Sequence, residues 1–202
     1  MSTPRPAAAS TRLCSRCGAP MPRAMRRPLR RRGPAWESSA SASACDRILL
    51  APGQALTLNG IAQGVITDRI TDLLRAGGAE HTLVDMGEFR AIGGRSAQEP
   101  WSVRLAGGGH ALLTDRALAT TEARGFSFDP EGRLPQLIDP ATGTARADWA
   151  RVSVIADSAG LADGLSTGLS LAPAAAIRAA LPHLPGVEVR ALDASGQEFR
   201  FT

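Results

Sequence analysis

The sequence contains no lysine; all 23 of its basic residues are arginines. Cysteine is scarce too. Cys14, Cys17 and Cys45 are followed by none, so a fold built from the rest of the chain cannot depend on disulfides. Cys14-Ser15-Arg16-Cys17 has zinc-knuckle spacing, but no second CxxC or HxxxH pair follows to complete four ligands, which argues against a structural zinc. No apolar run reaches the roughly 18 residues needed to cross a bilayer, so no transmembrane segment is expected. An export leader is not recognisable either. Arg26-Arg27 and Arg30-Arg31-Arg32 resemble a charged leader region, but Gly33-Pro34-Ala35-Trp36-Glu37-Ser38-Ser39 follows where an apolar segment should stand. As written, the chain is expected in the cytoplasm.

The charge that is present is unevenly placed. Residues 1–44 hold nine arginines against one acid, Glu37, and so carry +8; with a chain total of +4, the remainder carries −4. An arginine-rich arm suits nucleic acid or an anionic membrane. No aromatic residue stands among those arginines before Trp36, so the arm lacks a stacking platform and no nucleic-acid partner is expected. Pro, Ser, Ala and Arg dominate it without apolar periodicity, and residues 1–45 read as a disordered tail. Order is expected from Asp46, with one domain over residues 46–202 and an apolar fraction, 44% for the whole chain, suited to a globular core.

Within that domain, Arg47–Leu50 and Ala55–Leu58 read as strands around the Pro52-Gly53 turn. Asn59 is placed to cap a helix. Ile61, Val65, Ile66, Ile70, Leu73 and Leu74 recur at helical spacing as an apolar stripe, leaving Asp68, Arg69, Asp72 and Arg75 outward, and Gly77-Gly78 ends the helix. Strands are expected at Thr82–Met86, Trp101–Leu105, Ala117–Thr121 and Val152–Ala156, and helices at Ser158–Leu171 and Pro173–Leu181. Val187–Leu192 and Glu198–Phe201 suit a closing hairpin around Ala194-Ser195-Gly196. Strands and helices mix without a βαβ repeat, which predicts an α+β fold with a mixed sheet and packed helices.

Three segments combine residues suited to chemistry. Leu56–Gly64 runs from strand through Asn59-Gly60 into a helix N-terminus, where unsatisfied N–H groups and the helix dipole suit phosphate. Asp163 and Thr167 stand four apart on a helix, presenting a carboxylate and a hydroxyl on one face, the hard oxygens that Mg²⁺ prefers. Asp139-Pro140-Ala141-Thr142-Gly143 is a turn whose polar groups could line a ribose site. His81, His110 and His183 read as surface residues.

Taken in order, Asn59–Gly64 with Asp68, Leu83–Glu88, Ala119-Thr120-Thr121, Ile138–Gly143 and Ala162–Thr167 resemble the successive signature blocks of the ApbE-type flavin transferases, over roughly residues 46–200. The resemblance implies a T-fold-like domain that splits FAD and transfers its FMN part to a Thr or Ser hydroxyl of an acceptor flavoprotein, releasing AMP and requiring Mg²⁺. It places Asp163, Thr167 and the backbone carbonyl of Ala62 at the metal. It places Asn59, Gly60, Ile61, Ala62, Thr120, Thr121, Asp139, Thr142 and Gly143 around FAD. The chain departs from the pattern at Gln63, where the family usually has Lys, and at Gln136, where it usually has His. Gln cannot exchange a proton near neutral pH, so the resemblance leaves the catalytic acid or base unassigned. Family members, usually periplasmic or associated with the inner membrane, also carry a long N-terminal region building part of the sheet and one pocket wall. The arginine-rich tail stands in its place, so the domain is expected to be incomplete. An inactive remnant that still binds FAD and Mg²⁺ is the alternative.

Overall fold

The computed structural model describes residues 42–44, 47–49, 57–105, 108–123, 125, 136–139 and 148–202. These fall into two units. The first holds a short antiparallel hairpin, β1 (Ala42–Ala44) with β2 (Arg47–Leu49), together with Thr57 and Asp139. The expected strand at Ala55–Leu58 lies mostly outside the described residues.

The second unit, residues 58–138 and 145–202, is built on a six-stranded sheet. In chain order its elements are α1 (Ala62–Ala76), β3 (Thr82–Asp85), β4 (Phe89–Ile92), β5 (Trp101–Arg104), β6 (His110–Leu113), β7 (Ala117–Thr121), β8 (Trp149–Ala156), α2 (Ala159–Leu169), α3 (Ala174–Ala180), β9 (Glu188–Asp193) and β10 (Glu198–Phe201). The sheet order is β10-β9-β8-β7-β4-β3. Each of these neighbours pairs antiparallel, where a mixture of directions was expected. The fold class is α+β as anticipated.

Strand alternation assigns the two faces of the sheet. Ala117, Ala119, Val152, Val154 and Ala156 join Ala159, Ala162 and Ile177 in one cluster, which places α2 and α3 on that face. Leu118 and Ile155, between them in sequence, join Val103, Leu105, Ala111 and Leu113, so the β5–β6 hairpin covers the other. The sequence reading missed β1, which falls inside the segment expected to be a disordered tail, and in this unit it missed β4 and β6. The last two are four-residue strands. β6 begins directly after Gly109, between the two strands expected at Trp101–Leu105 and Ala117–Thr121.

Helix α1 departs furthest from expectation. Its stripe of large apolar residues does not face the sheet: Val65, Ile66, Leu73 and Leu74 are 43%, 52%, 69% and 40% exposed. Gly64, Thr67 and Thr71 are buried instead. The physical reason is size. Gly64 lets α1 approach α2 closely, and each buried threonine hydroxyl is satisfied within its own helix, Thr67 Oγ1 donating to the Gln63 carbonyl at 2.9 Å and Thr71 Oγ1 to the Thr67 carbonyl at 2.7 Å. Asp68, expected outward, is half-buried on this side. The helix also starts later than Asn59 implied: Ile61 is the N-cap residue and gives no side-chain capping bond. Asn59 and Gly60 form the preceding turn, with the Ile61 and Ala62 N–H groups donating to the Leu58 carbonyl.

Candidate functional site

The site grows from the contact between α1 and α2. Ser158 caps α2, its hydroxyl accepting from the Leu161 N–H, and the helix then displays Asp163 and Thr167 one turn apart. Gly64, in the first turn of α1, donates its N–H to Asp163 Oδ2 at 2.9 Å. Because α1 has no side-chain cap of its own, this bond satisfies an orphan donor of its first turn. The approach tolerates only glycine, since a Cβ on Gly64 would come within 2.3 Å of the Ala159 carbonyl oxygen and 2.7 Å of Asp163 Cβ. Gly60 is similarly close to the second residue of the pair, a Cβ there lying 2.8 Å from Thr167 Cγ2. Ile61 lies over Gly164, its Cδ1 3.7 Å from where a Cβ would stand.

Strand β7 supplies the third side. Thr121 Oγ1 bonds Ser166 Oγ at 2.8 Å and reaches Thr167 Oγ1 at 3.4 Å. Thr120, its neighbour, is turned to the opposite face by the strand pleat and bonds Ser153 Oγ at 2.9 Å. The two adjacent threonines therefore do not present their hydroxyls together. Gln136 stands just beyond the end of this strand, donating its amide to the Glu122 carbonyl at 2.9 Å.

Glu88 received no role from sequence. It opens the segment after the Asp85–Gly87 turn, is 7% exposed, and accepts the Thr120 N–H on Oε2 at 3.3 Å. Burial pushes its carboxyl up to about 8, nearby Asp163 and Asp85 add to the rise, and the Thr120 N–H opposes it. Asp163, itself 5% exposed, is also raised by burial, against the lowering effect of the Gly64 N–H. A buried acid directly after a glycine turn was the available signal, and it was read only as part of a motif. Two desolvated carboxyls near one another are poorly stabilised as anions, an environment in which a divalent cation would be favourable. The oxygen donors present, a carboxylate and a hydroxyl, suit Mg²⁺.

Gln63 also finds a partner. Its Nε2 donates to the Met86 carbonyl at 2.8 Å, lying over Gly87, whose φ of 98° favours glycine. The amide thus latches α1 to the β3–β4 turn. Of the remaining residues expected at the site, Ala62 is the first residue of α1, and Asp139 belongs to the other unit. Thr142 and Gly143 lie outside the described residues. His81, His110 and His183 are exposed, as expected.

No helix among the described residues is long and apolar enough to cross a membrane. The model of the ApbE family matches residues 17–191, reaching into the segment read from sequence as a tail. Among curated proteins, an FAD:protein FMN transferase of Haemophilus influenzae is 31% identical over 124 residues, covering 55% of this chain and 36% of the relative. One of Treponema pallidum is 30% identical over 155 residues, covering 67% and 43%. The chain thus spans less than half the length of these relatives. Among solved structures, the ApbE protein of Thermotoga maritima superposes with a TM-score of 0.65 at 24% identity, over 76% of this chain and 53% of that one. The flavin transferase ApbE of Vibrio cholerae does so with a TM-score of 0.61 at 23% identity, over 80% and 55%. At such identity the superpositions speak to the fold, which is the same. The matched span covers most of the sequence, and the chain belongs to the ApbE family.

Proposed function

We propose that this chain carries the site of a Mg²⁺-assisted flavin transfer, in which FMN passes from FAD to a Thr or Ser hydroxyl of an acceptor flavoprotein and AMP leaves. The observation that carries this reading is the convergence of Asp163 and Thr167 with the glycine-lined N-terminus of α1 and with Thr121. In the reaction the pyrophosphate P–O bond to AMP breaks, a phosphoester forms to the acceptor oxygen, and the hydroxyl proton is released. Asp163, Thr167 and the Ala62 carbonyl would hold Mg²⁺, which when bound supplies positive charge to the pyrophosphate oxygens. The chain's own contribution is placement. Gly64 fixes one oxygen of Asp163, Gly60 leaves room beside Thr167, and the positive end of the α1 dipole suits a phosphate. Asn59, Ile61 and Thr121 are assigned around FAD on the family pattern.

A second reading is favoured by Gln136. Its amide is engaged by the Glu122 carbonyl and cannot move a proton, so the site would bind FAD with Mg²⁺ without transferring FMN. Incubation with FAD, Mg²⁺ and an acceptor flavoprotein separates the two. Covalent flavin on the acceptor with equimolar AMP supports transfer; bound FAD with neither product supports the second reading.

A further inference from the structure

We infer that Asp68, on α1, is the positioning residue that holds the Asp163/Thr167 pair in place. Asp68 makes no hydrogen bond to either residue. It binds the start of the helix that carries them. Oδ1 accepts the Ala159 N–H and Oδ2 the Gly160 N–H, each at 2.8 Å. These are the first two residues of α2, whose N–H groups have no partner within the helix. Ser158 satisfies the third, at Leu161, so the three donors of the first turn are divided between a local cap and a remote one. A negative charge at this end of α2 also complements the helix dipole.

The arrangement is reciprocal. Asp68 of α1 binds the first turn of α2, and Asp163 of α2 accepts from Gly64 in the first turn of α1. Gly64 and Asp68 are four residues apart and so lie on one face of α1, and Asp163 lies four residues beyond Ala159, on the matching face of α2. Two carboxylates therefore pin the helices at two points about a helical turn apart. That fixes the rotation of α2 about its own axis as well as its distance from α1. Rotation is what decides where Asp163 and Thr167 point. Close packing supports the pin: Gly160 leaves its Cβ position 3.3 Å from Asp68 Oδ2 and 3.1 Å from Val65 Cγ2. Arg90 of β4 adds a longer contact, Nε to Asp68 Oδ1 at 3.8 Å, tying the pin to the sheet.

The inference rests on the metal reading of the pair only for its functional consequence; the mechanical statement stands apart. The test compares Asp68→Ala, Asp68→Asn and Trp149→Phe in the full chain. Trp149 Nε1 donates to the Ala172 carbonyl, away from α1, so the last variant controls for a general loss of stability. The first readout is amide hydrogen exchange at Gly64, whose N–H bonds Asp163. Asp68→Ala should accelerate it at least tenfold, Asp68→Asn by less because one acceptor remains, and Trp149→Phe by less than threefold. The second is the Mg²⁺ concentration that half-saturates FAD binding, read by flavin fluorescence, which should rise at least tenfold in Asp68→Ala and stay within twofold in Trp149→Phe. Unchanged Gly64 exchange in a folded Asp68→Ala, or an equal effect of Trp149→Phe, overturns the inference. Accelerated Gly64 exchange without any Mg²⁺ dependence in the native protein upholds the pin and overturns the metal reading instead.

Discussion

Gly64 and Asp163 meet across the α1–α2 contact, the backbone N–H of one 2.9 Å from a carboxylate oxygen of the other. This bond places the acid that sequence reading singled out, and it exists only because residue 64 has no side chain.

The first prediction follows from that geometry. Gly64→Ala would drive a methyl group into the Ala159 carbonyl and should destabilise the protein by at least about 2 kcal/mol. Gly168→Ala, in α2 but with nothing within 4 Å of its Cβ position, should instead stabilise by about 0.5–1 kcal/mol through helix propensity. Urea unfolding of both variants checks the pair; destabilisation of similar size in both would contradict the packing described.

The rotation of α1 gives a second. Leu73, 69% exposed, should accept Gln with a change within about 0.5 kcal/mol. Thr67, fully buried against the rest of the fold, should not accept Leu, which overpacks the contact at about 1–3 kcal/mol. Thermal unfolding would return the opposite order if the apolar stripe faced the core.

That stripe shows where the sequence could and could not be read. Periodicity located α1 and ended it correctly at Gly77-Gly78, because helical spacing and a glycine stop are local properties. Which face it buries is not local. It depends on how near α2 comes, and α2 comes near at Gly64, while the other buried positions of α1 are Thr67 and Thr71, residues that carry little hydrophobic signal. The β9–β10 hairpin was legible for the opposite reason, since its turn and its alternating residues lie together in sequence. In β4 and β6 residue type does not follow alternation, since Ala91 and Ile92 are both buried and Leu112 is apolar yet 61% exposed. At the site, Asp163 and Thr167 could be paired by their spacing, whereas Glu88 and Asp68 join them only through tertiary contacts formed by distant segments.

Glu88 supplies a prediction in pH. Its carboxyl is raised from the ordinary 4.5 to about 8 in the folded protein, so the native state binds its proton more tightly than the unfolded chain does. Stability from this group is therefore present below about pH 4.5 and is lost as pH rises through about 8. Glu88→Gln, which cannot ionise, should remove that fall and be more stable than the native protein above pH 8, by an amount on the order of 1 kcal/mol or more. Urea unfolding between pH 5 and pH 9, with EDTA present to keep divalent cations from the site, measures it. A native profile rising over this range, or no difference from Glu88→Gln, would show that the burial of Glu88 is not as described.

The site itself is tested most directly by FAD binding followed through flavin fluorescence, with and without Mg²⁺, in the native protein, Asp163→Ala and Thr167→Ala. The native protein should bind FAD more tightly with Mg²⁺. Asp163→Ala should abolish that gain, and Thr167→Ala should reduce it at least tenfold, with binding in EDTA nearly unchanged in both. A gain from Mg²⁺ that persists in full in Asp163→Ala would contradict the assignment of this helix pair as the metal and flavin site.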